Sequence, residues 1–363
     1  SEIELELKRG DQAALFEVAV RLAEIAPLRP SLSRKAERGA ALARNRPPAA
    51  RRAPRIHLQA GLSLDDAFRM IFRSIFAHLL CNQAVAEDMR DPEGVHQLRI
   101  ALRRLRAALA LVAPLGPTPT LDSLRADARW LAAAIGPARN WDLFALDVLP
   151  AIGHAAPSLT GLAELAEAVG ARRAAAHEAA REALTAARCG RFEIALGAWI
   201  ESRGWLSGPE ANERLAAPAL AFAGALLARR HRIVIKRGRH FARLSPAARH
   251  RLRLALKKLR YNADFFLSLE AKEKSARRFV RRLGRLQELL GTFNDMASTP
   301  ERAAELADPG LSPAAQSGLG AVIGWQARGR IDLEADLRAA WRAFRRVEPP
   351  LTSWAPPAAT PPP

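Results

Sequence analysis

The chain has 363 residues, 49% of them hydrophobic, and a formal net charge of +19. This length suits two ordinary domains, or one domain built from two similar halves. So large a positive charge indicates a polyanionic partner or an anionic surface, and it says nothing about the fold. The longest apolar stretch, LAAPALAFAGALLA from Leu215, is broken by proline and glycine and is shorter than the ~18–20 residues that span a bilayer. Because no signal peptide is visible either, we expect a soluble, cytoplasmic protein.

The two cysteines, Cys81 and Cys189, stand alone within helical patterns. Neither has the spacing of a metal-ligand set, so both are expected to be buried structural thiols in a reducing compartment. The sequence predicts no metal site and no cofactor.

The N-terminal part of the chain, residues 1–44, is expected to contain one strand and one helix. Residues 2–8, EIELELK, alternate with period two, which is typical of a half-buried strand. The following segment, DQAALFEVAVRLAEIA, predicts an amphipathic helix with Asp11 as its N-cap. Residues 45–56 are rich in proline and arginine and predict a linker.

Helical periodicity then runs to about residue 346. It predicts an all-α fold with a first half at residues 57–204 and a second half at 205–346. Caps and breakers place helices of the first half at about residues 63–88, 92–113, 120–135, from 141, 158–188 and 191–205. Those of the second half are expected at about residues 218–241, from 246, 278–291, 293–306, and in a long helix ending near 346. Residues 347–363 predict a loose proline-rich tail.

One segment occurs twice. The first copy is VHQLRIALRRLRAAL, residues 95–109, and the second is RHRLRLALKKLRYNA, residues 249–263. Their histidines, His96 and His250, are 154 residues apart, and the copies align without a gap. This repetition indicates an internal duplication that forms two pseudo-symmetric helical bundles.

Both copies predict helices with two distinct faces. At about 100° per residue, the leucines of each copy form one stripe facing the core. The basic residues form a second stripe: His96, Arg99, Arg103 and Arg106 in the first copy, and His250, Arg253, Lys257 and Arg260 in the second. Neither stripe contains a carboxylate of its own.

Two interpretations of these basic stripes remain open. They can be solvated helix faces, although such faces usually mix charges because like charges at i,i+4 destabilise a helix. We favour an anion-binding surface, since arginine forks match phosphate oxygens and two facing helices would form a channel for a long linear anion. A bound phosphate would raise the pKa of the histidines.

The repeated segments resemble the two signature helices of the CHAD domain, the conserved histidine α-helical domain. The turns LAAAIGPARNWD and LQELLGTFND also resemble segments of that family, although two residues separate Arg139 from Asp142. The resemblance implies two bundles around a basic central cavity that binds inorganic polyphosphate, and association with polyphosphate granules. It implies that both stripes line the cavity, together with further candidates on neighbouring elements: Asn82, Arg139, Arg232, Lys236 and Arg239. Asp142 and Asp295 are expected to cap helices.

The start of the chain, with the segment RKAERG at residues 34–39, resembles the closing part of a CYTH domain, the triphosphate-tunnel fold. The segment ELELK also fits the pattern with which such enzymes begin. A tunnel requires many strands and only one is predicted, so triphosphatase or cyclase activity is not expected.

The favoured function is therefore non-enzymatic polyphosphate binding, and nucleic-acid binding is the alternative. Aromatic residues make up 6% of the chain and one is tyrosine, so stacking surfaces for bases are sparse. No nucleophile or carboxylate pair accompanies the basic stripes, so turnover of polyphosphate is not expected.

Overall fold

The structure is a computed structural model that describes residues 2–32, 35–45, 47–206, 208–270, 272–307 and 310–351. These residues form an all-α fold, which confirms the predicted fold class. The helices are α1 (Ala13–Ile25), α2 (Lys35–Ala43), α3 (Leu64–Asp88), α4 (Pro92–Val112), α5 (Pro119–Ala134), α6 (Gly136–Leu143), α7 (Leu149–Ala155), α8 (Leu162–Thr185), α9 (Ala187–Glu201), α10 (Pro209–Ala216), α11 (Ala219–Arg237), α12 (Pro246–Phe266), α13 (Glu273–Ala297), α14 (Thr299–Ala307) and α15 (Pro313–Phe344).

The chain forms two compact units. The first comprises Ser1–Arg55, Asp65–Leu143 and Arg173–Ala216, and the second comprises Ile56–Leu64, Phe144–Arg172 and Ala217–Pro363. The internal duplication and the domain boundaries inferred from the sequence stay predictions. Of the expected proline-rich tail, residues 352–363 lie outside the described residues, as does Arg34 of the RKAERG segment.

The core of the first unit contains a cluster of aromatic rings from α3, from α9 and from the turn that follows α9. Phe72 stacks on Trp205 with ring centroids 5.3 Å apart, and Trp199 meets Phe72 edge-on at 5.1 Å. Such arrangements stabilise a core beyond the burial of their area. The cluster fixes α3 against α9, and α4 packs on α5 and α6 within the same unit.

The N-terminal segment belongs to the first unit, because α1 packs along α9. Phe16 lies so close to Gly197 that a Cβ at that glycine would stand 2.1 Å from the ring. The N-cap of this helix is Gln12, one residue later than the predicted Asp11, although the Asp11 carboxylate accepts a hydrogen bond from the Ala13 N–H at 3.1 Å.

The strand predicted at residues 2–8 is wrong. This segment has no regular structure, and the described residues contain no sheet with which it could pair. Ile3 and Leu5 are 55% and 39% exposed, so the apolar side of the alternating pattern faces solvent. A single strand without a partner leaves its backbone groups unpaired and gains no burial.

The second unit packs α11 on α12, α12 on α13, and α13 on α15. Phe279 of α13 and Phe344 of α15 are fully buried, with ring centroids 6.0 Å apart. The helix predicted to end at Gly291 continues to Ala297, because a glycine within a helix weakens it without ending it. The sequence patterns also missed α2, α7 and α10 and the short π-helix Phe144–Val148.

Candidate functional site

The basic helix of the first unit, α4, is fixed at its start and along its apolar side. Asp91 is the N-cap and accepts a hydrogen bond from the Glu93 N–H at 2.9 Å, and Pro92 follows at the first helical position. The leucines of the predicted core stripe are fully buried, namely Leu98, Leu102, Leu105 and Leu109. This burial confirms the predicted core stripe and sets the direction of the basic stripe.

The basic side chains of α4 form a cluster with one residue of α6. His96, Arg99 and Arg103 are half-buried, whereas Arg106 is exposed. Arg99 Nη1 donates a hydrogen bond of 2.7 Å to the carbonyl oxygen of Gly136, the first residue of α6. This contact joins α4 to the short helix that carries Arg139.

The pKa of His96 shows how closely the positive charges are grouped. Burial lowers this pKa below its usual value, and the largest electrostatic contribution comes from Arg139. Arg103 and Arg99 lower the pKa further, while Glu93 on the same helix opposes them. The imidazole therefore stays neutral at neutral pH, because burial and three neighbouring guanidinium groups disfavour its protonation.

Two guanidinium nitrogens in this cluster find no hydrogen-bond acceptor within the described part of the chain. They are Arg103 Nε and Arg139 Nε, both buried. Buried polar atoms are nearly always hydrogen-bonded, so such atoms call for a specific explanation. An anion held by the outer nitrogens of the same guanidinium groups would offset the positive charge of the cluster.

Asp142 of α6 does not neutralise this cluster. Its Oδ1 accepts hydrogen bonds of 2.7 Å from Arg173 Nε and from His177 Nε2 on α8. Burial opposes ionisation of Asp142, but the hydrogen bonds from His177 and Arg173 outweigh it and lower the pKa of the carboxyl. The predicted capping role is wrong for Asp142, which lies within α6, and for Asp295, which lies within α13.

The basic helix of the second unit, α12, begins in a similar way. Ser245 is the N-cap, its hydroxyl accepts a hydrogen bond from the Ala248 N–H at 3.3 Å, and Pro246 follows. The core leucines are fully buried, namely Leu252, Leu256 and Leu259. His250 is exposed, with its Nδ1 3.3 Å from Asn294 Oδ1 of α13.

Carboxylates lie beside the stripe of α12 and pair with two of its arginines. Arg253 Nη2 lies 3.8 Å from Asp295 of α13, and Arg260 Nε donates to both oxygens of Asp264 at 2.9 and 3.1 Å. The stripe of α12, which has no carboxylate of its own, is therefore partly neutralised by acidic residues beside it. Asp264 stands at i+4 from Arg260 and could have been found from the sequence, whereas Asp295 comes from another helix.

The further candidates differ in their surroundings. Asn82 is fully buried and bonds the backbone of the proline-rich segment: its Oδ1 accepts from the Arg51 N–H at 2.8 Å, and its Nδ2 donates to the Arg51 carbonyl at 2.9 Å. Arg232 and Lys236 are exposed on α11. Arg239 follows the end of that helix and lines a cleft with residues of α15.

The prediction that both stripes share one cavity concerns the arrangement of the two units, and it stays a prediction.

No group of three or more His, Cys, Asp or Glu side chains suited to a metal ion occurs among the described residues. In the same part of the chain, no helix combines the length and apolarity needed to cross a membrane.

The fold and these helices define an all-helical protein with cationic helix faces. The family model for the CHAD domain matches residues 70–304, and the chain belongs to this family. The crystal structure of the CHAD domain from the plant Ricinus communis is similar, with 31% identity and a TM-score of 0.73, over 83% of this chain and 98% of that one. PptA from Streptomyces chartreusis shares the fold, with 18% identity and a TM-score of 0.58, over 77% of this chain and 100% of that one. No curated protein sequence matches the chain.

Proposed function

We propose that this protein binds inorganic polyphosphate without turning it over, through the basic stripes of α4 and α12. The observation that carries the proposal is the cluster on α4, where His96, Arg99, Arg103 and Arg139 come together with Glu93 as the one opposing charge acting on His96. Membership of the CHAD family supports it. The same binding would retain the protein at polyphosphate granules.

The dimensions and chemistry of α4 suit a linear phosphate polymer. From His96 to Arg106 the helix rises about 15 Å, which is enough to contact several consecutive phosphate groups. Each guanidinium can donate two parallel hydrogen bonds to phosphate oxygens. Because His96, Arg99 and Arg103 are half-buried, water screens their charges less than it would on an open surface.

The two stripes should contribute unequally. On α12, Asp295 and Asp264 already offset part of the charge of Arg253 and Arg260. Lysine provides a point charge without the fork of arginine, so Lys257 should contribute less than Arg103. We therefore expect α4 to supply most of the affinity.

Substitution with a matched control tests the proposal. Arg103→Gln should weaken the binding of long-chain polyphosphate by about tenfold to a hundredfold, the loss expected for hydrogen bonds to a charged group. Lys257→Gln should cause a smaller loss. The controls are Arg129→Gln, an exposed arginine of α5, and Lys258→Gln, the exposed neighbour of Lys257; both should stay within about twofold of the wild type.

The assay is a titration of labelled long-chain polyphosphate followed by fluorescence anisotropy, with circular dichroism to confirm folding. Equal losses in the stripe variants and in the controls would contradict the proposal, because net charge alone would then explain binding. Displacement by nucleic acid at equal phosphate concentration would favour the alternative function.

A further inference from the structure

A second cationic surface lies at one end of the second unit, apart from the stripe of α12. A cleft of about 310 Å³ is lined by arginines from two elements. Arg239 and Arg243 come from the turn between α11 and α12, Arg338 and Arg342 come from the last turns of α15, and Arg345 directly follows that helix. Within the described residues, none of the four stripe residues of α12 lines this cleft.

The base of the cleft is rigid. Phe241 of the turn stacks on Trp341 of α15, with ring centroids 5.3 Å apart and planes 10° from parallel, and both residues are 4% exposed. Gly238 lies so close to the indole that a Cβ there would stand 2.1 Å from it. The turn is therefore held against α15, and the arginines on both sides project from a fixed support.

Little negative charge balances these arginines. Among the described residues, the ion pair that the structure shows for them joins Arg338 to Glu334, at 3.7 Å. The negative end of the α15 dipole favours Arg342 and Arg345, but it does not explain the two arginines of the turn. Arg338 and Arg342 are also four residues apart on one helix, where like charges repel.

We propose that this cleft is a binding site for a compact ligand with two or three linked phosphate groups. Its volume is at the lower end of the range for small-molecule sites, about 300–1,000 Å³, so it suits a short ligand better than a long polymer. Five arginines line this one cleft, and guanidinium groups suit the charge and the bidentate geometry of an oligophosphate. Arg239, a candidate for the polymer site, is assigned to this cleft.

The test uses inorganic tripolyphosphate and isothermal titration calorimetry on the full chain. Because tripolyphosphate could also bind the stripes, the starting protein carries Arg103→Gln and Lys257→Gln. Adding Arg342→Gln and Arg345→Gln should weaken the remaining binding at least about tenfold. Adding Arg328→Gln and Arg346→Gln removes the same charge from exposed positions on or just after α15 outside the cleft, and should change it less than about twofold.

The inference would be overturned if the two pairs of substitutions weakened tripolyphosphate binding equally, or if the starting protein did not bind tripolyphosphate. The same titration with ATP separates two sources of the same chemistry: tighter binding of ATP through Arg342 and Arg345 assigns a nucleoside triphosphate, and weaker binding assigns an inorganic oligophosphate. The proposed function is tested by a different experiment, in which Arg103→Gln and Lys257→Gln are compared with their controls in titrations of long-chain polyphosphate. The two proposals can therefore fail separately.

Discussion

Binding of polyphosphate should depend on pH through His96. In the free protein, burial and the neighbouring charges of Arg139, Arg103 and Arg99 hold the pKa of His96 below its usual value of 6.5, against the opposing effect of Glu93. A phosphate group bound in this cluster would stabilise the imidazolium and raise that pKa. The bound state then carries a proton that the free state lacks, so affinity should increase as the pH falls.

The size of this pH effect follows from the coupling between proton uptake by His96 and the binding of polyphosphate. Uptake of one proton strengthens binding by at most about tenfold for each pH unit between the bound and the free pKa of His96. Affinity should begin to rise as the pH falls through the bound pKa, and it should level off below the free pKa.

The measurement is a series of dissociation constants from about pH 8 to about pH 6 at constant ionic strength, the range in which histidine titrates. Calorimetry in buffers of different ionisation enthalpy counts the protons taken up. His96→Gln keeps a polar side chain but removes the titration, so its pH profile should be flatter, whereas His154→Gln, at an exposed histidine outside both stripes, should retain the slope. An unchanged slope in His96→Gln would refute the reasoning.

Three further predictions concern single positions. Asp295→Asn should tighten polyphosphate binding by up to about fivefold, the amount by which an exposed ion pair offsets the charge of Arg253, and titration with labelled polymer measures it. Glu193 is fully buried and its pKa is about 8, so the folded chain keeps this carboxyl protonated at a pH where the unfolded chain ionises it. The free energy of unfolding of the wild type should therefore fall by up to about 1.4 kcal/mol per pH unit from about pH 5 to 8. Urea unfolding of Glu193→Gln should show a smaller decline. Gly197→Ala places a Cβ against Phe16 and should destabilise the first unit by about 1–3 kcal/mol. Gly170 has open space around it, so Gly170→Ala should cause no such loss of stability. Thermal unfolding of the two variants and the wild type measures the difference.

The helices that carry the site were predictable because their apolar patterns are long and periodic. On α4 and α12 the leucines recur at helical spacing, and their complete burial follows from that pattern. The segment at residues 2–8 shows the limit of this reasoning, because period-two alternation describes a strand only when a partner strand is present.

The site itself was only partly predictable. Helical spacing brings together the stripe residues of one helix, but it cannot show what other helices contribute. Arg139 entered through the family resemblance, and the structure shows that its charge acts on His96. Asp295 of α13 lies beside Arg253, and Asp142 accepts hydrogen bonds from His177 and Arg173 of α8. These pairings depend on tertiary packing, which local sequence does not encode.

The concentration of positive charge on α4 has a consequence for the folded state of the protein. Holding Arg99, Arg103 and Arg139 around a neutral imidazole introduces repulsion that the packed leucines must overcome. A polyanion in this cluster removes the repulsion, and it adds up to about 2.7 kcal/mol at a free concentration of a hundred times the dissociation constant, the limit for a ligand with no affinity for the unfolded chain. The thermal tolerance of this protein would thus follow the supply of phosphate polymer around it.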